Sequence, residues 1–575
     1  MKISLLFPDR SLNFNKLNDE TMHDTGMDQI IGQLTNRESE QTYIRNVLGT
    51  LTDDVDNAAY RGDVFDDIYR NPEMRAELIK LFERVNFLRD YGSRKYDHDH
   101  DPGIWDLAHR LEEIKDYIDA IEAIHLCLSK ADIKSEGLLA LKEYVISLYN
   151  GNGFSELKED IKDLRADTGN LKSVTLGVNL NERFEACGIG IISINNKPFT
   201  RSGLVGRFID KVSGKDHINE GTEWDGDYRF DEFTAQDPVS NDVITEIPAF
   251  SPLAFMSIKP ISDNDNQGRG ITNYMDEITD RLLRQTVKHL RDVLNKYTLL
   301  TITDITDLIP EFMYYVRWVE YIEKQKKKGG SFSKGRPVDK GIFAEIRGIY
   351  NLKLLDSEET LKCGIVTNDL DFSDERCLYV LTGANRGGKT TVTQAVGQAF
   401  LLAQGGIYVP GTEFTFTPAD NIFTHFPADE DKTMDLGRLG EECKRFKEIY
   451  SKATGKSLVL LNETFSTTSF EEGYYIAKDC EKAILEKGIR TIYNTHMHKL
   501  AFEIEELNNA SRKYKAASLV MRTQKSGERS YKLEIAPPEG LSYANDIAQK
   551  YGVTYEMLTG GSSFIISSSA LLNQE

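Results

Sequence analysis

Cys377-Leu378-Tyr379-Val380-Leu381-Thr382 runs directly into Gly383-Ala384-Asn385-Arg386-Gly387-Gly388-Lys389-Thr390, and Thr391 opens the next segment. An apolar run of this length reads as a buried strand. The Val392–Gln404 stretch behind it carries helix formers with apolar residues at helical spacing. Between them lies G-x-x-x-x-G-K-[ST], in the strand–loop–helix context that gives the pattern its meaning. Glycines let the backbone curl so that its N–H groups converge on phosphate oxygens. The N-terminus of the following helix adds partial positive charge. In such a loop Lys389 reaches the β- and γ-phosphates, Thr390 ligates Mg²⁺, and residues 383–391 cradle the nucleotide.

Two later strands end in polar residues. Ser457-Leu458-Val459-Leu460-Leu461-Asn462-Glu463 sits where phosphate-loop ATPases place an Asp-Glu pair. Such an Asp helps hold Mg²⁺, and the Glu orients or deprotonates the attacking water. Here Asn462 replaces the aspartate, so the metal site loses one negative charge, and Glu463 takes the water-activating role. Thr491-Ile492-Tyr493-Asn494-Thr495-His496 is the other strand. Ligands of open α/β sheets bind at the carboxyl ends of strands, which places His496 to sense the γ-phosphate. The bland alternative is a structural histidine. His498 has no such support.

Residues 1 to about 165 read as helical, with stripes such as Met74, Leu78, Leu81, Phe82, Val85 and Leu111, Ile114, Ile118, Ile121. The Asp-His run near 97–101 reads as a solvated turn rather than a metal site. From about 170 to 265 the pattern is β-like, as in Ser173–Val178 and Gly188–Ile194. Long helices resume from about 270 to 325. Lys324-Gln325-Lys326-Lys327-Lys328-Gly329-Gly330, with Lys334 and Arg336, reads as a mobile surface loop; a contact to a nucleic-acid backbone is the alternative. From about 340 onward, strands alternate with helices, the mark of an α/β layered domain.

Bulk properties narrow the class. The six cysteines form no C-x-x-C pair, so neither a zinc site nor a disulfide framework is expected, and reduced thiols in a cytosol fit. The start MKISLLFPDRS is not a signal peptide, and no stretch approaches a membrane span. A formal net charge of −21 argues against broad adhesion to nucleic acid but leaves room for a local basic groove.

These residues together resemble the MutS family. Phe400-Leu401-Leu402-Ala403-Gln404-Gly405-Gly406-Ile407-Tyr408-Val409-Pro410 is similar to its L-A-Q-x-G-x-[FY]-V-P. Asp420–Thr424 resembles D-x-I-[FL]-[ST], Asn494-Thr495-His496 resembles A-T-H, and Gly540–Ala548 resembles S-Y-G-x-x-V-A. Val366-Thr367-Asn368-Asp369 resembles the V-P-N-D segment beside the adenine, with Ile365 where family members often place an aromatic against the base. The resemblance implies an α/β P-loop, ABC-like ATPase domain, preceded by a mostly helical core and lever region with a β-rich, clamp-like insert. Its implied divisions are a helical core over 1–165, the insert over 166–268, lever helices and basic loop over 269–335, and the ATPase domain over 336–575. ATP and Mg²⁺ are the implied cofactors. A homodimer and DNA are the implied partners, with no membrane and a cytoplasmic location.

Departures from the family pattern shape the expected activity. The core helices begin almost at residue 1, so a mismatch-reading front domain with its Phe-x-Glu wedge is not expected. Phe230-Asp231-Glu232 and Phe343-Ala344-Glu345 match those letters in the wrong places. Where the family opens its trans-acting helix with Ser-Thr, this chain has Gly437-Arg438-Leu439-Gly440-Glu441-Glu442. Arg438 is placed either to add a charge toward a partner's nucleotide or to pair with Glu441 or Glu442. Phe465-Ser466-Thr467-Thr468 replaces G-R-G-T. The implied function is an ATP-dependent DNA-binding switch with slow hydrolysis. The alternative is an ATP switch that binds a protein partner and no DNA.

Overall fold

The computed structural model describes residues 3–8, 11–92, 104–168, 173–180, 182–184, 186–195, 258–260, 288–289, 292–293, 308–357, 364–384, 387–427, 437–523, 529–538 and 551–558. The chain forms two compact units. One comprises Met1–Arg75, Asp132–Leu139 and Leu308–Glu575; the other comprises Ala76–Ala131 and Ala140–Asp307. Residues 1–75, read in the sequence as the start of a helical core domain, thus lie in the same unit as the α/β region.

The centre of the first unit is a six-stranded sheet. Its strands are β1 (Leu378–Gly383), β2 (Ile422–His425), β3 (Leu458–Asn462), β4 (Arg490–Asn494), β5 (Ala516–Thr523) and β6 (Arg529–Ile535), in spatial order β2-β3-β4-β1-β5-β6. The first five strands in that order run parallel, and β6 returns antiparallel to β5. Every residue of β1, β3 and β4 is buried. That is why these segments read as continuous apolar runs rather than alternating ones: a parallel sheet is covered on both faces.

Helix α1 (Lys389–Gln404) follows β1 and lies against the sheet. Its buried apolar side includes Val396, Phe400 and Leu401. Its glutamines, of which Gln398 and Gln404 are buried, are answered by the N-terminal segment. Gln394 donates to the Asp24 carbonyl at 2.7 Å, Gln398 to Thr25 at 2.9 Å and Gln404 to Thr52 at 3.1 Å. Buried amides left unpaired would each cost on the order of 1–3 kcal/mol, so residues 24–52 act as structural partners of α1. Arg61, fully buried, extends the same seam. It donates to the carbonyls of Leu6 at 2.8 Å and Gln404 at 3.1 Å and stacks its guanidinium 4.8 Å from the Phe7 ring.

Gly397 on α1 leaves no room for a side chain. A Cβ there would lie 2.7 Å from Thr25 Cγ2 and 2.9 Å from Leu460 Cδ1. Leucine is the better helix former, so propensity alone favours Gly397→Leu. Overpacking costs more, and we expect the variant to lose about 1–3 kcal/mol of stability, read as a lower urea midpoint. An unchanged midpoint would show that this seam is loose.

The basic segment after residue 324 is ordered rather than mobile. Its first lysines end the helix Leu308–Lys327, Phe332–Ser333 pairs with Val409–Pro410, and Gly335–Pro337 joins Glu413–Phe416 in a four-stranded sheet. Lys328 pairs with Asp356 at 2.6 Å, Lys334 with Asp63 at 2.5 Å, and Lys326 lies over the Tyr69 ring at 4.9 Å. Phe343-Ala344-Glu345 enters the strand Ala344–Ile349 of the same sheet.

In the second unit the helices Ile104–Lys130 and Asn152–Thr168 pack together, burying Leu111, Ile114, Ile118, Leu157 and Ile161. The β-like stretches form Ser173–Leu180 and Ala186–Asn195, an antiparallel pair joined by Ile258–Pro260. The Asp-His run at 97–101, the stretch 201–257 with Phe230-Asp231-Glu232, most of the lever region over 269–307, and the Gly540–Ala548 motif lie outside the described residues. Among the described residues, no helix is long and apolar enough to cross a membrane.

Candidate functional site

The phosphate-loop residues, Asn462, Glu463 and His496 converge at the carboxyl end of the sheet. Strand β1 ends at Gly383, whose φ of +137° and lack of room rule out a side chain: a Cβ would lie 2.9 Å from Met521 Cβ and 3.0 Å from its carbonyl oxygen. Gly388, at φ +96°, begins α1 without a side-chain cap. The first-turn N–H groups of that helix therefore face the loop free of a capping oxygen from Gly388, the arrangement that suits an anion. Asn385 and Arg386, expected in the cradle, lie outside the described residues; Ala384 and Gly387 flank them, and the Gly387 N–H donates to the Ala384 carbonyl at 3.0 Å.

Lys389 is buried, and its ammonium donates to the carbonyls of Gly383 at 3.0 Å and Ala384 at 3.3 Å. Burial pulls its pKa below the ordinary lysine range, and Glu463 pulls in the opposite direction. A cation held there at a desolvation cost is a ready partner for an anion. Thr391 offers its carbonyl to Asn351 at 3.1 Å.

The strand ends supply the next group. Asn462 and Asn494 stand directly opposite one another in the parallel register of β3 and β4. Thr390 Oγ1 donates to Asn462 Oδ1 at 3.1 Å. Asn494 Nδ2 donates to the same oxygen and, at 3.3 Å, to Thr390 Oγ1. Asn494 Oδ1 is buried and has no hydrogen-bond partner among the described residues. Neutral oxygens on Thr390, Asn462 and Asn494 suit a hard cation that keeps several of its waters, the usual habit of Mg²⁺.

Glu463 follows with φ +54°, a conformation rare for a residue with a side chain, and its N–H is fixed to the Asn494 carbonyl at 2.8 Å. Holding such backbone costs on the order of 1–3 kcal/mol and occurs mostly where function demands it. Glu463 Oε1 meets His496 Nε2 at 2.7 Å, and both side chains remain partly open to solvent. That hydrogen bond is the main reason the carboxyl lies below the usual range for glutamate, helped by the charge of Lys389. A carboxylate kept ionised beside an imidazole can orient a water and accept a hydrogen bond from it. His498 is two residues on, half-buried, and pushed below the usual histidine range by burial.

Behind Glu463 the chain is clamped. Thr464 Oγ1 lies 3.1 Å from His425 Nδ1, and His425 Nε2 lies 3.2 Å from the Glu442 carbonyl on helix α2 (Gly437–Lys452). Phe465, at φ +64°, packs edge-on against Phe446 of α2 at 5.8 Å. His425 is buried and lies near Arg445; burial first and that guanidinium second lower its pKa to about 4. A neutral histidine in the fold contributes stability that is complete above its unfolded value near 6.5. That stability is lost as pH falls from there toward 4. Wild-type stability should therefore drop on acidification through this window, by about 3 kcal/mol in total, and His425→Asn should flatten that slope in denaturation curves taken between pH 7 and 4. Equal slopes would remove His425 from the account.

Two features escaped the sequence reading. Tyr531 on β6, at φ +55°, brings its ring within 3.3 Å of where a Cβ on Gly388 would sit, and its carbonyl accepts from Asn368 Nδ2 at 3.1 Å. It thus stands between the phosphate loop and the Val366–Asp369 segment, with the half-exposed Ile365 just upstream. No local pattern around Tyr531 announces this. Asn494 did leave a signal: a polar residue ending an apolar strand, as Asn462 ends its neighbour.

Comparisons with known proteins place these segments. Residues 379–562 match MutS domain V, and residues 53–186 match the MutS2 N-terminal domain. The chain is 31% identical over 208 residues to the DNA mismatch repair protein MutS of Chlorobium chlorochromatii, covering 34% of this chain and 23% of that protein. It is 28% identical over 196 residues to the Endonuclease MutS2 of Thermus thermophilus, covering 34% and 25%. With the Endonuclease MutS2 of Listeria innocua the figures are 29% over 224 residues, 38% and 27%. The chain therefore spans about a quarter of the length of these curated relatives. The resemblance read from the sequence is borne out: this chain carries a MutS-type domain V at 379–562 and a MutS2-type N-terminal segment at 53–186.

Proposed function

We propose that this protein is a Mg²⁺-dependent ATPase of the P-loop, ABC-like kind that works as a slow DNA-binding switch. The observation that carries the reading is the meeting of the Lys389 loop with Glu463 and His496 at the ends of adjacent parallel strands. Lys389 and the amides of Gly387 to Thr391 bind the phosphate tail, with Ala384, Asn385 and Arg386 completing the loop over Gly383. Ile365 and Tyr531 border the base side. Thr390 and Asn462 hold the metal, which when bound neutralises charge on the phosphates. Glu463 aligns the attacking water, and His496 holds the Glu463 carboxylate and faces the terminal phosphate. With a neutral amide at 462, turnover is slow, since loss of one charge-stabilising group commonly costs on the order of 10²–10³ in rate.

The same reading makes the active form a homodimer. The N-terminus of α2 offers backbone N–H groups to the nucleotide of a second copy, with Arg438 on its first turn. ATP makes contacts in that closed pair that ADP lacks, and this difference in binding biases the helical region and the β-rich insert over 166–268. The relatives' names, DNA mismatch repair protein and endonuclease, support DNA as the partner and repair or recombination as the setting. Backbone or branched-structure recognition fits better than reading of mispairs. A cytoplasmic location goes with this role.

One observation favours a second reading, in which the switch binds a protein instead: the net charge of −21. Salt separates the two. DNA affinity falls steeply with salt on a log–log plot, with a slope set by the phosphates contacted. Binding of duplex or branched DNA with such a slope, strengthened by ATP, supports the first reading; no DNA binding at low salt supports the second. Absence of Mg·ATP binding in calorimetry would end both.

A further inference from the structure

An aspartate and an asparagine differ at a metal site in more than charge. A carboxylate presents an oxygen whichever way it turns. A carboxamide presents oxygen in one orientation and an N–H₂ group in the other, and only the first can receive the Thr390 hydroxyl and face a metal-bound water. The Asn462 side chain therefore needs something to choose its orientation. Asn494 is placed to do so. Its Nδ2 donates to Asn462 Oδ1, which a flipped Asn462 would meet with a second donor instead. Its other contact, to Thr390 Oγ1 at 3.3 Å, leaves that hydroxyl to donate onward to Asn462 at 3.1 Å. Asn494 is completely buried, so water does not compete for these bonds. Its position opposite Asn462 in the β3–β4 register makes the contact a direct cross-strand one.

We propose that Asn494 is a positioning residue that fixes the orientation of Asn462 and Thr390 for the metal, so that the two asparagines act as a pair in place of a single carboxylate. Its own Oδ1, buried without a partner among the described residues, is a further acceptor for a water on that metal. This inference rests on the nucleotide-binding reading above and concerns which residues of this chain make that site work.

The test uses the full chain and a fluorescent ATP analogue, with Mg²⁺ titrated at fixed nucleotide. Asn494→Ala suits the strand end, since the resembling A-T-H motif carries alanine there. Losing the hydrogen bond that selects one orientation should raise the Mg²⁺ needed for half-maximal binding about fivefold to tenfold, the worth of roughly one such bond. In an Asn462→Asp background the same Asn494→Ala change should matter less than about twofold, because a carboxylate needs no orienting donor. The aspartate–alanine double variant should therefore bind at least as well as wild type. Thermal melts of all four proteins without nucleotide verify folding, and Asn494→Ser replaces Asn494→Ala if the latter fails to fold. An unchanged Mg²⁺ requirement in Asn494→Ala overturns the proposal while leaving ATP binding intact. So does an equal loss in both backgrounds, which would mark Asn494 as a packing residue only. Wild-type protein that binds no nucleotide at any Mg²⁺ concentration removes the nucleotide reading and this pairing with it.

Discussion

Lys389→Ala should lower affinity for Mg·ATP by about 100-fold or more, a loss of the size expected when a buried charge-assisted contact to phosphate disappears. The reason lies in where the ammonium sits. It is buried and, among the described residues, donates to the carbonyls of Gly383 and Ala384. Carbonyl dipoles compensate a buried ammonium incompletely, and its lowered pKa records the deficit. A polyphosphate restores what burial removed, so the interaction is strong where water is excluded. The same logic predicts an opposite effect on the empty protein. Lys389→Met keeps the aliphatic stem and discards the desolvated charge, so the nucleotide-free fold should be as stable as wild type or more so. Calorimetry measures the first effect and denaturation the second. Affinity within fivefold of wild type would mean that the loop is not a phosphate site.

Glu463→Gln should lower turnover by about 10²–10³ while leaving ATP bound, and ATP should then accumulate the closed two-copy form. Glutamine has the shape of glutamate and retains an oxygen for His496 at the 2.7 Å position, so ground-state binding loses little. It lacks the negative charge that orients and polarises water. The strained backbone at φ +54° makes the choice of residue specific. A position that costs the fold energy persists where the side chain must be aimed, here toward the end of β4 and the Lys389 loop. Single-turnover hydrolysis and size-exclusion chromatography with ATP read the two halves of this expectation. Turnover preserved in Glu463→Gln would assign the water to another group.

How much of this is legible in the sequence depends on distance along the chain. The phosphate loop, Asn462-Glu463 and His496 were readable because each closes an apolar strand, and local pattern places strand ends well. The helices Ile104–Lys130 and Asn152–Thr168 and the strands Ser173–Leu180 and Ala186–Asn195 were readable from periodicity. The bonds from Gln394 to Asp24, 370 residues away, and from Gln404 to Thr52, 352 residues away, were not. A glutamine within a helix carries no mark of a distant partner. Tyr531 was hidden for the same reason: its place beside Gly388 follows from the β5–β6 pairing, not from its neighbours in sequence. The basic stretch after 324 misled in the opposite way. Lysine and glycine suggested a mobile loop, whereas Asp63, Asp356 and Tyr69 engage its lysines.

The amide seam along α1 has a practical consequence for anyone who trims this protein. A fragment cut at 340, where the α/β pattern begins, would strip Gln394, Gln398 and Gln404 of acceptors supplied by Asp24, Thr25 and Thr52. Such a truncation exposes the back of the very helix that opens at Lys389. The compact unit that carries the Lys389 loop is accordingly discontinuous: it comprises the opening 75 residues, the short return Asp132–Leu139 and the stretch from 308 onward, and the remaining polypeptide enters and leaves it as excursions between parts of one unit.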